Sequence, residues 1–258
     1  MKILSNEMAQ HYQKSSLNRG HLVFTSFISY EGKILFLKEH IARLLKGADY
    51  LFPNENWKNQ HSELEQHVLN VFKKDLSDSY FRLTVFDDCV HLEKRAQTNS
   101  SETITATTAF KKKTPGLAPD FLKISNYLES DLELARAKEQ GFEDVFYFDQ
   151  NGSLAEASTS NIFVLGSDGI IKTPPTSSMV LLGITREKLI AKLKTTDFQL
   201  REASIDKGEL EKAQEIWLTN SVKGIRFVSH FENKSFKREQ STFDQLLLQF
   251  GRYGERYE

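Results

Sequence analysis

The sequence predicts an α+β protein built from two domains. Segments with the β-branched or alternating pattern of strands are interspersed with segments of helical periodicity along the whole chain. One stretch, KKKTPGLAPD at 111–120, shows neither pattern and contains two prolines and a glycine. At 258 residues the chain can form two domains that each bury a core. We therefore predict an N-terminal domain over 1–113, a linker over 114–121 and a C-terminal domain over 122–258.

The N-terminal domain is predicted to contain a hairpin, two helices and three further strands. The two strands of the hairpin are rich in β-branched and aromatic residues and flank Glu31-Gly32. Pro53 ends the first helix, and the Ser62-x-x-Glu65 pattern predicts a capping box at the start of the second. The expected hairpin strands are 22–30 and 33–37, the helices are 38–52 and 61–75, and the later strands are 80–86, 89–94 and 102–110.

The C-terminal domain is predicted to mix helices with short strands. Gly141 marks the end of its first helix, and Asn151-Gly152 is typical of a hairpin turn. The expected helices are 126–140, 184–194, 206–213 and 241–253, and the expected strands are the hairpin 144–157 and the segments 161–165, 198–205, 215–220 and 225–231.

The composition excludes several classes of protein. The 34 basic and 35 acidic residues nearly cancel, so the charge gives no reason to expect nucleic acid or a membrane surface as a partner. The basic triplet at 111–113 is interpreted as a solvated linker. With Cys89 alone, the chain has no disulfide framework and no cysteine-based metal site, and we expect no metal ion. Residues 1–16 lack the features of a signal peptide, so a cytoplasmic location is expected.

Lys123 and Glu156 are the first candidate functional residues. Lys123 follows the proline-rich stretch and precedes an amphipathic segment, so its amine is expected to project from a strand end. Lysine in that setting can form a Schiff base with an aldehyde. Glu156 follows the Asn151-Gly152 turn, and a carboxylate there can pair with a protonated ring nitrogen. Taken alone, Lys123 is most simply one of many surface lysines, and Glu156 could be merely an exposed hairpin residue.

Gly183, Ile184 and Thr185 form a candidate anion site. They stand at the start of a segment with helical periodicity. The first N–H groups of a helix have no intrahelical acceptor, and together with the Thr185 hydroxyl they can hold a phosphate. A lysine, a carboxylate and an anion site in this order are what a pyridoxal phosphate site requires.

Three motifs in register give the chain a resemblance to a known family. They are K-x-x-N-Y-L at 123–128, G-x-x-D-x-x-x-x-D-x-x-G-x-x-x-E-x-x-x-x-N-I-F at 141–163, and T-P-P followed by L-x-G-I-T-R within 173–186. With these motifs the sequence resembles the class IV aminotransferases, the fold-type IV pyridoxal phosphate enzymes. The resemblance implies that family's fold of two domains with the active site in the cleft between them. It also implies pyridoxal 5′-phosphate as cofactor, a small-molecule amino substrate and a homodimer.

The resemblance also implies a role for each candidate residue. Lys123 is expected to bind the cofactor covalently and to move the substrate proton, and Glu156 to pair with the pyridine nitrogen. The residues expected to hold the phosphate are Arg43, Ile184, Thr185 and Ser221. Tyr127 is expected to meet the ring oxygen and Leu181 to pack under the ring. Arg82 is a candidate for the substrate or for a structural ion pair.

The resemblance leaves the reaction open. An aminodeoxychorismate lyase reaction, giving 4-aminobenzoate and pyruvate, is favoured by the compact length, by Ser26 and by Asn220-Ser221. Ser26 aligns with a hydroxyl that assists elimination in lyase-type members. The alternative is an amino acid:2-oxo acid aminotransferase. Its branched-chain type is favoured over the D-amino acid type, because the short loop 87–91, DDCVH, lacks the arginine-plus-histidine carboxylate trap of that type. The third hypothesis is a catalytically silent relative that binds the cofactor.

Overall fold

The computed structural model describes residues 2–4, 19–98, 100–115, 119, 121–238 and 241–257. The chain divides into two compact units. Unit 1 comprises Met1–Thr98 and Phe121–Asn126, and unit 2 comprises Asn99–Asp120 and Tyr127–Glu258. Residues 1–16, which we predict not to be a signal peptide, lie mostly outside the described residues.

Unit 1 is a five-stranded sheet covered by two helices. The strand order is β1-β5-β4-β2-β3, in which β1 pairs with β5 in parallel and the other pairs are antiparallel. Apolar side chains of both helices pack on one face of the sheet around Phe27, Ile41 and Phe81. The elements are β1 (Lys2–Leu4), β2 (Val23–Tyr30), β3 (Lys33–Ile34), α1 (Leu37–Leu51), a 3-10 turn (Trp57–Asn59), α2 (His61–Lys73), β4 (Ser79–Phe86) and β5 (Cys89–Ala96).

Unit 2 is built on a nine-stranded mixed sheet. Its order is β11-β10-β9-β12-β13-β6-β7-β8, and β14 pairs with β13. Phe163, Trp217 and Phe227 are central to its core, which also takes in apolar residues of the flanking helices. The elements are β6 (Thr103–Thr108), α3 (Leu128–Glu139), β7 (Asp144–Phe148), β8 (Leu154–Ala157), β9 (Asn161–Leu165), β10 (Ile171–Thr173), a 3-10 turn (Thr176–Ser178), α4 (Ile184–Leu193), β11 (Leu200–Glu202), α5 (Lys207–Lys212), β12 (Glu215–Asn220), β13 (Gly224–Phe231), β14 (Lys234–Ser235) and α6 (Thr242–Phe250).

The α+β prediction is confirmed, but the bounds of the two units differ from the predicted 1–113, 114–121 and 122–258. β6 lies in the second sheet, because it pairs with β13 and β7. Residues 121–126 belong to the first unit, since Ile124 forms a bridge with Val23 of β2. The predicted linker lies partly outside the described residues, because 116–118 and 120 are not described.

The predicted capping box at Ser62 and Glu65 is wrong. α2 begins at His61, its N-cap is Gln60, and no side chain caps it. Ser62 therefore lies inside the first turn, where its hydroxyl cannot act as an N-cap. A capping box does form at α5, where Asp206 and Glu209 each accept from the other's backbone N–H.

None of the helices in the described ranges combines the length and apolar character needed to cross a bilayer.

Candidate active site

Lys123 is fixed to the start of β2 in unit 1. Its carbonyl oxygen accepts a hydrogen bond from the Phe24 N–H at 2.9 Å, next to the bridge between Val23 and Ile124. The Lys123 amine lies 4.7 Å from the centroid of the Phe24 ring. The ring is buried whereas the lysine is half-buried. The amine is therefore held over an aromatic surface and is still accessible.

Arg82 shares the Phe24 ring with Lys123. Its guanidinium carbon lies 3.8 Å from the ring centroid, and its Nη2 donates to the Ser125 hydroxyl at 2.7 Å. Ser26 and Arg82 are directly opposed on β2 and β4, so they share one face of the sheet with Phe24. On this face the Ser26 and Tyr80 hydroxyls lie 3.1 Å apart. Two cations and two hydroxyls are thus gathered on one face of unit 1.

Arg43 belongs to α1 and faces the opposite side of β2, where Thr25 lies. Its Nη2 donates to the Thr25 hydroxyl at 3.0 Å, and the same hydroxyl lies 2.7 Å from Nδ1 of His40. Burial, followed by the charges of Arg43 and Lys123, holds the pKa of His40 well below its usual value. His40 is therefore neutral at physiological pH.

Glu156 on β8 of unit 2 is held by two groups. Its Oε2 accepts from the Leu181 N–H at 2.8 Å, and its Oε1 forms an ion pair with Lys113. The side chain of Lys113 is 27% exposed, and its backbone N–H donates to the Phe148 carbonyl at 2.8 Å. The interpretation of residues 111–113 as a solvated linker is therefore wrong at Lys113, because this residue joins the edge of the sheet and pairs with a carboxylate.

Asn161 and Gly183 fix the segment that carries Leu181. Asn161 Nδ2 donates to the Leu181 carbonyl at 2.9 Å. A Cβ atom added to Gly183 would lie 2.0 Å from Asn161 Oδ1, so only glycine permits this approach. Leu181 itself is half-buried. The same short segment thus carries a donor to Glu156 and leads into α4.

The predicted anion site lies where α4 begins. Gly183 is the N-cap of the helix, and the Thr185 hydroxyl lies 3.0 Å from that of Ser221, which directly follows β12. The loop carrying Ser221 is closed by Asn220, whose side-chain oxygen accepts from the N–H groups of Val222 and Lys223 at 2.8 and 3.0 Å. Two hydroxyls and the first N–H groups of a helix form a set of donors suited to an anion.

A buried ion pair supports the loop that follows Glu156. Asp144 and Arg226 lie 3.4 Å apart and are almost inaccessible to solvent. Asp144 also accepts from the hydroxyl of Ser158 at 2.6 Å and from its N–H at 3.2 Å. The loop between β8 and β9 is therefore tied to the core.

Tyr127 occupies the N-cap position of α3, and its carbonyl accepts from the Asp131 N–H at 2.8 Å. Its side chain is half-buried.

The predicted site residues fall into two sets. Unit 1 contains Ser26, Arg43, Arg82 and Lys123, and it brings Ser26, Arg82 and Lys123 to one face of the sheet while Arg43 lies on the other. Unit 2 contains Tyr127, Glu156, Leu181, Ile184, Thr185 and Ser221. Sequence reasoning did not single out Phe24, Thr25, His40, Lys113 or Asn161. Two of them carried a usable signal: His40 stands three residues before Arg43 on the same side of a helix, and Asn161 belongs to the N-I-F end of the motif at 141–163.

Each unit by itself contains groups that suit a part of pyridoxal 5′-phosphate, which presents an aldehyde, a ring nitrogen and a phosphate. The accessible amine of Lys123 suits the aldehyde. The carboxylate of Glu156, oriented by the Leu181 N–H, suits a protonated ring nitrogen. The adjacent hydroxyls of Thr185 and Ser221 suit the phosphate.

Comparison with known proteins gives consistent matches. The model of the class IV aminotransferase family matches residues 22–231. The branched-chain-amino-acid aminotransferase of Escherichia coli K12 is 26% identical over 242 residues, covering 83% of this chain and 77% of that protein. A solved Legionella pneumophila structure, named as a candidate 4-amino-4-deoxychorismate lyase, matches with a TM-score of 0.83 and 21% identity over 96% of this chain and 97% of that one. An aminotransferase from Brucella abortus bound to the cofactor PLP matches with a TM-score of 0.80 and 22% identity, over 92% and 91% of the two chains.

The family match covers most of the chain, including all three motifs that carried the resemblance. The solved structures share the fold. This chain therefore belongs to the class IV aminotransferase family and is a pyridoxal-phosphate-dependent enzyme of that family.

Proposed function

We propose that this enzyme converts 4-amino-4-deoxychorismate to 4-aminobenzoate and pyruvate. The observation that carries the proposal is the pair of hydroxyls, Ser26 and Tyr80, 3.1 Å apart on the sheet face that also presents Lys123 and Arg82. An elimination needs a proton donor for the leaving oxygen, and a hydroxyl supplies one.

The character of this face favours an acidic substrate over a branched-chain one. The substrate 4-amino-4-deoxychorismate carries two carboxylates. A guanidinium binds carboxylates well, and Arg82 presents one beside Ser125. A branched apolar side chain would instead require an apolar pocket.

In this proposal the unit 1 residues act on the reacting atoms. Lys123 would hold the cofactor aldehyde through Nζ, and the same amine would take the proton from the substrate carbon that carries the amino group. Ser26 donates a proton to the ether oxygen of the enolpyruvyl group as the carbon–oxygen bond breaks. Arg82 orients a substrate carboxylate, and Arg43 binds the phosphate.

The unit 2 residues hold and tune the cofactor. Glu156 accepts a hydrogen bond from the ring N–H and keeps that nitrogen protonated. Thr185, Ser221 and the N–H of Ile184 bind phosphate oxygens. We also propose that Tyr127 binds the ring oxygen and that Leu181 packs against the ring.

The proposed reaction balances without a second substrate. When bound, pyridoxal 5′-phosphate supplies an electron sink for the carbon that carries the substrate amine. The substrate loses one proton from this carbon and pyruvate leaves as its enol, so the remaining ring becomes aromatic. The products together contain the atoms of the substrate, and no 2-oxo acid is consumed.

This balance gives the test. Protein and cofactor are incubated with 4-amino-4-deoxychorismate alone, and 4-aminobenzoate is followed by fluorescence and pyruvate by a coupled lactate dehydrogenase assay. We expect equal amounts of both products with no added acceptor. The Ser26→Ala variant should lower turnover about a hundredfold or more, whereas Ser26→Thr, which keeps the hydroxyl, should retain more of it. An unchanged rate in Ser26→Ala would remove the proposed acid.

A second candidate is an amino acid:2-oxo acid aminotransferase, which the Escherichia coli relative favours by its name. A panel of amino acids with 2-oxo acids tests it, since product would then depend on the acceptor. If neither assay gives product while the cofactor binds, the chain is a silent relative.

We also infer a homodimer, as the family resemblance implies, and a cytoplasmic location, which the buried thiol of Cys89, the single cysteine of the sequence, fits. Sedimentation at micromolar concentration tests the first, and a strict monomer would contradict it.

A further inference from the structure

We infer that Thr25 and His40 are positioning residues that orient the Arg43 guanidinium toward the cofactor phosphate. This inference deepens the proposed function and rests on it for the role of Arg43. Neither Thr25 nor His40 belongs to the predicted site, and both side chains are fully buried.

The three side chains form a hydrogen-bonded chain inside unit 1. The Thr25 hydroxyl lies 3.0 Å from Arg43 Nη2 and 2.7 Å from His40 Nδ1. Thr25 and His40 are both 0% exposed. His40 and Arg43 are three residues apart on α1, so both face the β2 strand that carries Thr25. The hydrogen bonds among these three side chains therefore connect one helix, α1, to one strand, β2.

The chemistry of the groups fixes the direction of the hydrogen bond between Arg43 and Thr25 and permits one from Thr25 to His40. A guanidinium only donates, so the Thr25 oxygen must accept from Arg43. The one hydroxyl hydrogen of Thr25 can then go to Nδ1 of His40, provided that this nitrogen carries no proton. A doubly protonated imidazole could not accept a hydrogen bond from Thr25 and would add a cation near Arg43 and Lys123.

The surroundings of His40 keep it in the required state. Burial and the two neighbouring cations hold its pKa well below the usual value, so the neutral imidazole prevails. The Phe27 ring lies 5.2 Å from the imidazole centroid at an interplanar angle of 43° and limits its rotation. A neutral, oriented acceptor is what the Thr25 hydroxyl needs.

A purely structural role does not explain this histidine well. Its Nε2 is buried and makes no hydrogen bond to any of the described residues. Leaving a buried polar atom unpaired costs free energy, and an apolar side chain would fill this space without that cost. The presence of a histidine at position 40 is explained if its Nδ1 orients the Thr25 hydroxyl and, through that hydroxyl, Arg43.

The consequence concerns the phosphate. An arginine side chain has several rotatable bonds, and binding a phosphate in one geometry requires them to be fixed. Thr25 fixes Nη2 of Arg43 before any ligand arrives. The remaining N–H groups of the guanidinium are thereby directed, and the affinity for the phosphate group rises without any new contact to it.

The experiment compares two ligands that differ only in the phosphate. Dissociation constants of the apo protein are measured for pyridoxal 5′-phosphate and for pyridoxal by absorbance. Thr25→Val removes the hydroxyl at nearly constant shape. It should weaken binding of pyridoxal 5′-phosphate about tenfold and change binding of pyridoxal less than about twofold.

Thr25→Ser restores the hydroxyl and should recover most of the lost affinity. His40→Leu should resemble Thr25→Val, and His40→Asn, which keeps a polar atom near Nδ1, should lose less.

Two controls make the result decisive. In an Arg43→Ala background, Thr25→Val should have no further effect, because the two residues act through one guanidinium. Thr103→Val changes a strand threonine of unit 2 and should leave both dissociation constants unchanged. Equal losses for the two ligands, or no loss for either, would overturn the inference. If the unchanged protein binds neither ligand, the proposed function itself fails, and this outcome is distinct from the other two.

Discussion

The N–H of Leu181 donates to the carboxylate of Glu156 at 2.8 Å. The residue expected under the cofactor ring and the residue expected at its nitrogen are thus directly bonded, although 25 positions separate them. Lys113 holds the other oxygen of the same carboxylate. The geometry of Glu156 therefore depends on the 111–113 segment and on the segment before α4 together, and an amide in its place would keep the Leu181 contact but lose the charge.

Lys123 should be the covalent attachment point of the cofactor. Borohydride reduction of the loaded protein, followed by peptide mapping, should place the label on Lys123, and Lys123→Ala should abolish it. Lys46 offers a matched control, because its amine also lies over an aromatic ring, 4.2 Å from the Phe121 centroid in the same unit. Lys46→Ala should keep the label. A label on any other lysine would remove the basis of the proposed chemistry.

Gly183→Ala should disturb the anion site, because the added Cβ atom would clash with the side chain of Asn161. The backbone of Gly183, at φ −73° and ψ 132°, suits any residue, so an effect would come from the new Cβ and its approach to Asn161. Asn161 must move and lose its bond to Leu181. We expect a loss of about 1–3 kcal/mol in unfolding free energy and weaker cofactor binding.

Gly208→Ala is the control for that substitution. Gly208 lies within α5, and an added Cβ would be 3.3 Å from its nearest neighbour, Asp206 Oδ1. Alanine is favoured over glycine inside a helix, so stability should hold or rise slightly. Urea denaturation and cofactor titration measure both variants. Equal stability and cofactor affinity in Gly183→Ala and the unchanged protein would show that the Asn161 contact is unimportant.

Asp144→Ala should destabilise unit 2 strongly. It leaves the buried charge of Arg226 without its partner and removes the acceptor for Ser158, and breaking a buried pair from one side costs about 3–5 kcal/mol. Asp49→Ala breaks a surface pair with Lys58, whose side chain is 75% exposed, and should cost at most about 1 kcal/mol. Similar losses in the two variants, measured by urea denaturation, would argue against the importance of burial.

The stability of the apo protein should fall in acid partly because of His40. Its folded pKa lies well below the unfolded value of 6.5, so below pH 6.5 the unfolded chain gains a proton that the folded chain does not. The unfolding free energy therefore decreases as the pH is lowered below 6.5, by up to about 1.4 kcal/mol per pH unit for this residue.

The His40→Asn variant should show a shallower fall between pH 6.5 and 5.5. The pKa values of His67 and His91 are also lowered, but both residues are present in both proteins, so the difference isolates His40. Parallel curves for the two proteins would mean that His40 titrates normally.

Local chemistry in the sequence determined most of the elements and the family. The Asn151-Gly152 turn and the helical periodicity before Gly141 depend on neighbouring residues, so they could be predicted from the chain alone. The motifs around Lys123, Glu156 and Thr185 likewise carried the resemblance that the family match confirms. Each of these signals is local in sequence.

Only the tertiary structure decided which sheet each strand joins and which groups surround the candidate residues. β6 has the pattern of any half-buried strand, and its place beside β13 depends on pairing between residues more than a hundred positions apart. The ion pair of Lys113 with Glu156 and the burial of His40 against Thr25 have the same origin. The sequence pattern shows which residues can be buried or charged, but partners distant in sequence are chosen by packing, and packing is a property of the whole fold.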